Sequence, residues 1–177
     1  MLKYLQTEKN CYTFSEDICS NACDVCTSQK KKARYLTMAN YEIIKTCEDI
    51  DFNQVSEILK FYGLSDYDSS VQEKVFHNSY GVVFLKQEDK IIGVGRAISD
   101  GICQAQICNV AVRDEYRGKG LGKVVIDELL TQVKGCTVVL YTHPKHFGLY
   151  EHWGFSKMKT AYVLFHNEEH YREEGFI

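Results

Sequence analysis

The chain has 177 residues, 45% of them hydrophobic and 25% charged, with a single proline and a formal net charge of −3. That hydrophobic content excludes a disordered chain, no apolar run reaches the ~20 residues that cross a bilayer, and the mild charge excludes a general nucleic-acid or membrane-surface binder. The first residues, Met1-Leu2-Lys3-Tyr4-Leu5-Gln6, have no apolar core of the kind a secretory signal carries, so a soluble cytoplasmic protein with reduced thiols is expected.

Residues 1–38 lack a sustained period and end in the basic run Lys30-Lys31-Lys32-Ala33-Arg34, which reads as a solvated linker. The reading therefore divides the chain into a cysteine-rich extension, residues 1–38, and a main domain, residues 39–177. Cys11, Cys19, Cys23 and Cys26 crowd the extension. Four sulfurs match the tetrahedral shell of a structural zinc and equally the ligand set of a 4Fe-4S cluster. A segment without metal is the third reading, because the paired Cys-x-x-Cys of a zinc ribbon is missing. Cys47, Cys103, Cys108 and Cys136 stand among apolar neighbours and are expected to be small core hydrophobes.

From residue 41 the pattern becomes regular. Residues 41–47 form a short strand candidate. Asp51 with Gln54 three places on reads as a capping box, and Phe52, Val55, Ile58, Leu59 and Tyr62 share a helical face that Gly63 ends. Ser70 with Glu73 predicts a second helix to about His77. Strands are expected at 80–86, 90–98 and 102–112, joined by short polar turns, which makes an antiparallel meander. A charged glycine-rich loop, residues 113–122, then leads into a helix over 121–134, with Val125, Ile126, Leu129, Leu130 and Val133 as its buried stripe. A strand over 136–141 completes a βαβ unit, which requires parallel pairing. Pro144 opens a further helix to about Trp153, and residues 159–165 are expected to be a last strand. The class is α+β, an αβα layering of a mixed, largely antiparallel sheet flanked by helices.

A glycine-rich turn before a helix N-terminus is an anion site, since free N–H groups and the helix dipole face the ligand. It is no Walker loop, because Leu121 follows Gly120 where Lys-Ser/Thr would be required. A dinucleotide fold is disfavoured by the antiparallel meander that precedes it. Arg117-x-x-Gly120-x-Gly122 directly after Val110-Ala111-Val112 resembles the acyl-coenzyme A pyrophosphate loop of the GNAT superfamily of N-acetyltransferases, and Gly148-Leu149-Tyr150-Glu151-His152-Trp153-Gly154-Phe155 resembles its second segment.

The resemblance, over about residues 41–165, implies a sheet that splays between the strand ending in Val110-Ala111-Val112 and the strand after the helix. It implies that backbone groups of Val110 and Val112, flanking Ala111, hold the pantetheine arm of acetyl-CoA. The N–H groups of Arg117, Gly118, Lys119, Gly120, Leu121 and Gly122 would cradle the pyrophosphate, with Arg117, Lys119 or Lys123 adding charge. Tyr150 would be the general acid that protonates the leaving thiolate; packing against Trp153 and Phe147 is its structural alternative. No carboxylate base stands on the acceptor strand, which offers Gln104, Gln106 and Asn109; Asp100 and His143 are the alternatives, and the base is unassigned. The implied reaction is direct acetyl transfer to a primary amine, on a small molecule or a peptide. Asp66, Asp68, Glu73 and the acidic tail could favour a cationic amine. Homodimers are frequent among the proteins it resembles, although the sequence does not fix the oligomeric state; neither nucleic acid nor membrane is an expected partner. The rival reading is an acyl-CoA- or redox-sensing regulator built on the cysteine cluster.

Overall fold

The computed structural model describes residues 40–177, so Cys11, Cys19, Cys23 and Cys26 and the zinc or iron–sulfur reading placed on them lie outside the described residues. Five strands make one mixed sheet in the order in which they occur along the chain. They are β1 (Glu42–Ile44), β2 (Gly81–Gln87), β3 (Lys90–Ser99), β4 (Gln104–Val112) and β5 (Thr137–Val139). The first four pair antiparallel, and β4 pairs β5 in parallel, as loop lengths require.

Helix α1 (Phe52–Phe61) begins at Asp51, whose Oδ1 accepts the Asn53 N–H at 3.0 Å. The capping box is not completed as expected. Gln54 does not reach the Asp51 backbone; its Nε2 donates to Asp51 Oδ2 and Asp89 O, and its Oε1 accepts the Ile91 N–H at 2.8 Å. The turn between β2 and β3 supplies better-placed partners, and Gln54 pins the helix to the hairpin. Gly63 ends α1 at φ +65°, with Gly63 N–H to Lys60 O and Leu64 N–H to Leu59 O, a Schellman closure. Helix α2 (Ser69–His77) is capped by the Asp68 carboxylate, two residues before the expected cap at Ser70. Asp68 Oδ1 accepts both the Val71 N–H and the Ser70 hydroxyl, an ionised acceptor outcompeting a neutral one.

The two sheet faces carry separate cores. Phe52, Val55, Ile58 and Leu59 of α1 and Phe76 of α2 pack with Val82, Phe84, Ile91, Val94 and Ala111. On the other face, Leu121, Val125, Ile126 and Leu129 of α3 (Leu121–Gln132) pack with Val83, Leu85, Ile92, Ala97, Ala105 and Ile107. Each fully buried aliphatic side chain removes enough apolar surface from water to contribute about 1.5–3 kcal/mol. α3 lies so close to β3 that a Cβ on Gly95 would overlap Val125 Cγ1.

Three expectations fail. The strand predicted over 136–141 is only Thr137–Val139. No strand forms over 159–165, where Tyr162 and Leu164 are solvent-exposed; β propensity measures the fit to a half-buried pleat, and these residues have none to fit. Helix α5 (Glu168–Glu173) follows instead, capped by Asn167 Oδ1. The scattered cysteines are not core residues: Cys103 is exposed in a turn and Cys47, Cys108 and Cys136 are half-buried. Pro144 does open a helical segment, a 3-10 turn (Pro144–His146) running into α4 (Phe147–His152). No helix among the described residues is long and apolar enough to cross a membrane.

Candidate active site

The opening in the sheet follows from one irregularity. In the β3–β4 ladder Val94 faces Ala111 but Arg96 faces Cys108, so β4 carries an extra residue there, and Asn109 takes φ +54°. Such a bulge bends and twists its strand. β4 and β5 stay paired only from Gln104 opposite Thr137 to Gln106 opposite Val139. Beyond that, β4 runs from Ile107 to Val112 without a partner on its β5 side among the described residues.

Arg113 N–H donates to Ile92 O across the β3–β4 ladder. Ladder alternation then turns the backbone groups of Ala111 toward β3 and those of Val110 and Val112 toward the opening. One of these groups is already engaged. The Tyr62 hydroxyl donates to Val112 O at 2.7 Å, so the carbonyl expected to be free is capped from the end of α1.

Directly after β4, a 3-10 turn (Asp114–Tyr116) and the loop through Gly122 reach the start of α3. Gly118 and Gly120 take φ +74° and +79°, left-handed values that a side chain would strain. Gly120 is the N-cap without a side chain, and the N–H groups of Gly118 to Gly122 have no acceptor among the described residues. Tyr116 anchors the loop through its hydroxyl to Gln87 Oε1 at 2.7 Å. The cations sit around it rather than over it. Arg117 pairs with Asp114 at 3.1 Å and lies over the Tyr62 ring, Lys119 lies 4.9 Å from the Tyr116 ring centre, and Lys123 pairs with Asp127. All three are exposed enough to turn toward an anion at the helix start.

Tyr150 projects from α4 and is half-buried, its ring edge-on to Trp153 and Phe155. Trp153 Cη2 lies 3.5 Å from where a Cβ on Gly122 would stand, so α4 and the start of α3 meet. Burial pushes the Tyr150 phenol above its ordinary value, opposed in part by the Thr142 side chain. A phenol so shifted stays protonated at neutral pH, the form a general acid requires.

The alternative bases are spoken for. Asp100 Oδ1 accepts the N–H groups of Ile102, Cys103 and Gln104, and Cys103 Sγ donates to Oδ2; these bonds hold its carboxyl far below the usual range. His143 caps the 3-10 turn, its Nδ1 accepting the Lys145 N–H at 3.1 Å. Asn109 Oδ1 accepts from Arg96 Nε at 2.6 Å. Of the acidic residues that could favour a cationic amine, Asp68 caps α2, Glu73 faces His77, Glu168 pairs with Arg172, and Glu174 lies 4.0 Å from His143, while Asp66, Glu169 and Glu173 have no ion-pair partner among the described residues. No group of three or more potential metal ligands occurs among the described residues.

Sequence reasoning missed two residues of this region. Tyr62 reads as one more apolar position on α1, and only the tertiary fold brings its hydroxyl to Val112. Arg96 is a lone charge inside an apolar strand, which is the one cue that could have singled it out.

Comparison with known proteins agrees with this geometry. Residues 78–157 match the model of the acetyltransferase (GNAT) domain. An uncharacterized N-acetyltransferase ycf52 from Pyropia yezoensis is 31% identical over 133 residues, covering 64% of this chain and 76% of that protein. The chain belongs to the GNAT acetyltransferase family. A GCN5-related N-acetyltransferase 1, chloroplastic, from Arabidopsis thaliana is 28% identical over 116 residues, 63% of this chain, and the match spans 59% of that relative's length. A putative acetyltransferase from Deinococcus radiodurans R1 has the same fold, with a TM-score of 0.65 at 21% identity over 72% of this chain and 90% of its own. Within the GNAT fold, the opening beside β4 and the loop from Arg117 to Gly122 lie next to each other because the loop follows β4 directly.

Proposed function

We propose that residues 39–177 transfer an acetyl group from acetyl-CoA to a primary amine. The observation that carries this reading is the early end of the β4–β5 ladder at Gln106 and Val139, next to a helix start with unclaimed N–H groups. The pantetheine amides suit the backbone groups of Val110 and Val112 as a partial strand. The N–H groups of Gly118 to Gly122 suit the pyrophosphate.

In this reading the amine nitrogen attacks the thioester carbonyl, the carbon–sulfur bond breaks, and the leaving thiolate takes the proton of the Tyr150 hydroxyl. The amine attacks as its neutral form, the excess proton on nitrogen then leaves to water, since Asp100 and His143 are committed to turns, and the Tyr150 phenolate regains its proton from solvent. The four described cysteines are free thiols, which fits a reducing compartment such as the cytoplasm.

The test is calorimetric titration with acetyl-CoA, followed by a thiol-release assay over a panel of amines. Binding with amine-dependent release of coenzyme A supports the reading. Absence of binding sinks it.

A further inference from the structure

Arg96 is the one charged residue inside β3, past its first position. It is half-buried on β3, in register with Cys108, and so on the face of the sheet that carries α1 and α2. Its Nε donates to Asn109 Oδ1 at 2.6 Å and its Nη1 to Ser79 Oγ at 3.4 Å. Of the five N–H groups of a guanidinium, the others meet no protein acceptor among the described residues. No carboxylate lies within ion-pair distance of it there.

A fully buried arginine is ordinarily matched by an acid; Arg96, half-buried, has none among the described residues and keeps donors to spare. Asn109 occupies the bulge, where a carboxylate would neutralise Arg96, but an amide cannot. The surroundings add no negative charge. Cys108 and Tyr141, whose phenol feels both the thiol and the guanidinium, are each pushed up by burial and stay protonated. Tyr141 follows β5 and feels both Cys108 and Arg96, so these three stand about the point where the strands part. A permanent cation with spare planar donors therefore stands beside the β4–β5 opening.

We propose that the Arg96 guanidinium, held by Asn109 Oδ1 and Ser79 Oγ beside the β4–β5 opening, binds the oxyanion group of the acceptor, making this a transferase for amines that carry a carboxylate or a phosphate. The inference rests on the transferase reading and adds the substrate class. Guanidinium pairs both groups through parallel N–H···O bonds, and the matched amines in the test separate the two.

The experiment compares matched acceptors at fixed acetyl-CoA: β-alanine against propylamine, O-phosphoethanolamine against ethanolamine, and putrescine as the cationic control. For one or both pairs, kcat/KM for the anionic member exceeds that of its neutral match by roughly ten- to a hundredfold, the range for a hydrogen bond to a charged group. Whichever pair shows it names the oxyanion. Arg96→Met reduces the preference to near unity through KM. Asn109→Asp, an isosteric change that supplies the missing carboxylate, does the same while leaving acetyl-CoA titration unaltered, which guards against a simple folding defect. Neutral or cationic amines acetylated as well as or better than the anionic ones, or a preference that survives both variants, overturns the assignment to Arg96 and leaves the transferase reading standing. No acetylation of any amine overturns the transferase reading, and this inference with it.

Discussion

The hydroxyl of Tyr62, at the end of α1, donates to the backbone carbonyl of Val112, fifty residues away, at 2.7 Å. The same ring lies beneath the Arg117 guanidinium. One side chain thus touches both the strand and the loop that the coenzyme would occupy. A carbonyl has two lone pairs, so the phenol stands in for, or shares with, a pantetheine amide. Tyr62→Phe should lower stability by about 1 kcal/mol in the free protein, the usual worth of such a bond. With saturating acetyl-CoA the deficit should shrink, because the coenzyme then satisfies Val112. Urea unfolding with and without acetyl-CoA checks it; an equal deficit in both states would show that the coenzyme does not reach this carbonyl.

Gly122 separates binding from folding. A Cβ there would make ordinary contact with Trp153 at 3.5 Å, and Ala is the better helix former. Gly122→Ala should therefore keep or slightly raise the melting temperature. That methyl group is aimed at Trp153 and not at the free N–H groups, so acetyl-CoA affinity should stay within about threefold. A dissociation constant raised about tenfold or more at an unchanged melting temperature would show that the phosphates approach the Gly122 Cα itself.

Tyr150→Phe keeps the ring packing on Trp153 and Phe155 and removes only the proton. Turnover should fall by roughly 10²–10⁴, the usual contribution of a positioned acid, with acetyl-CoA binding intact. The sign of the pH dependence follows from burial, which raises the phenol. The acid works when protonated, so wild-type activity should persist through neutral pH. It should be lost only as pH climbs past the ordinary tyrosine value of about 10. A wild-type alkaline limb that is retained in the Phe variant would assign it to another group.

Asp100 supports a turn. Its folded carboxyl is held below its unfolded value by hydrogen bonds, so its stabilisation is complete above pH ~4 and disappears as acid protonates it. Asp100→Asn should flatten the loss of stability between about pH 4 and pH 2, followed by denaturant unfolding across that range. An identical acid slope in both proteins would mean that the turn bonds do not form in solution.

The local signals were readable because they are local. Asp51 and Gly63 bound α1, the short polar turns made the meander, and Gly118 to Gly122 marked the anion loop, each through chemistry within a few residues. The bulge at Asn109 was not readable, because asparagine tolerates positive φ without requiring it, and the ladder around it decides whether the strand bulges there. Gln54 chose the hairpin turn over its own helix for the same kind of reason: its partners, Asp89 and Ile91, arrive only with the tertiary fold. In residues 159–165, a run of β-branched and aromatic residues gave the period of a strand without a sheet edge to join.

Gly95 gives a test of packing independent of function. Ala there would press against Val125 and should cost about 1–3 kcal/mol. Val125→Ala, which alone leaves a void, should recover part of that loss in the double variant, as a thermodynamic cycle would show.

The three-residue register between β4 and β5 also sets where the molecule breathes. None of the three β5 residues is buried, and the sheet continues on only one side of them. Amide exchange is governed by the least costly opening, and a strand held by so short a ladder opens without disturbing either core. Its amides should trade hydrogen with solvent well before those of β2 and β3. A molecule wedged between β4 and β5 would act as the missing rung and slow that exchange, so the sheet would reach its full protection only when occupied.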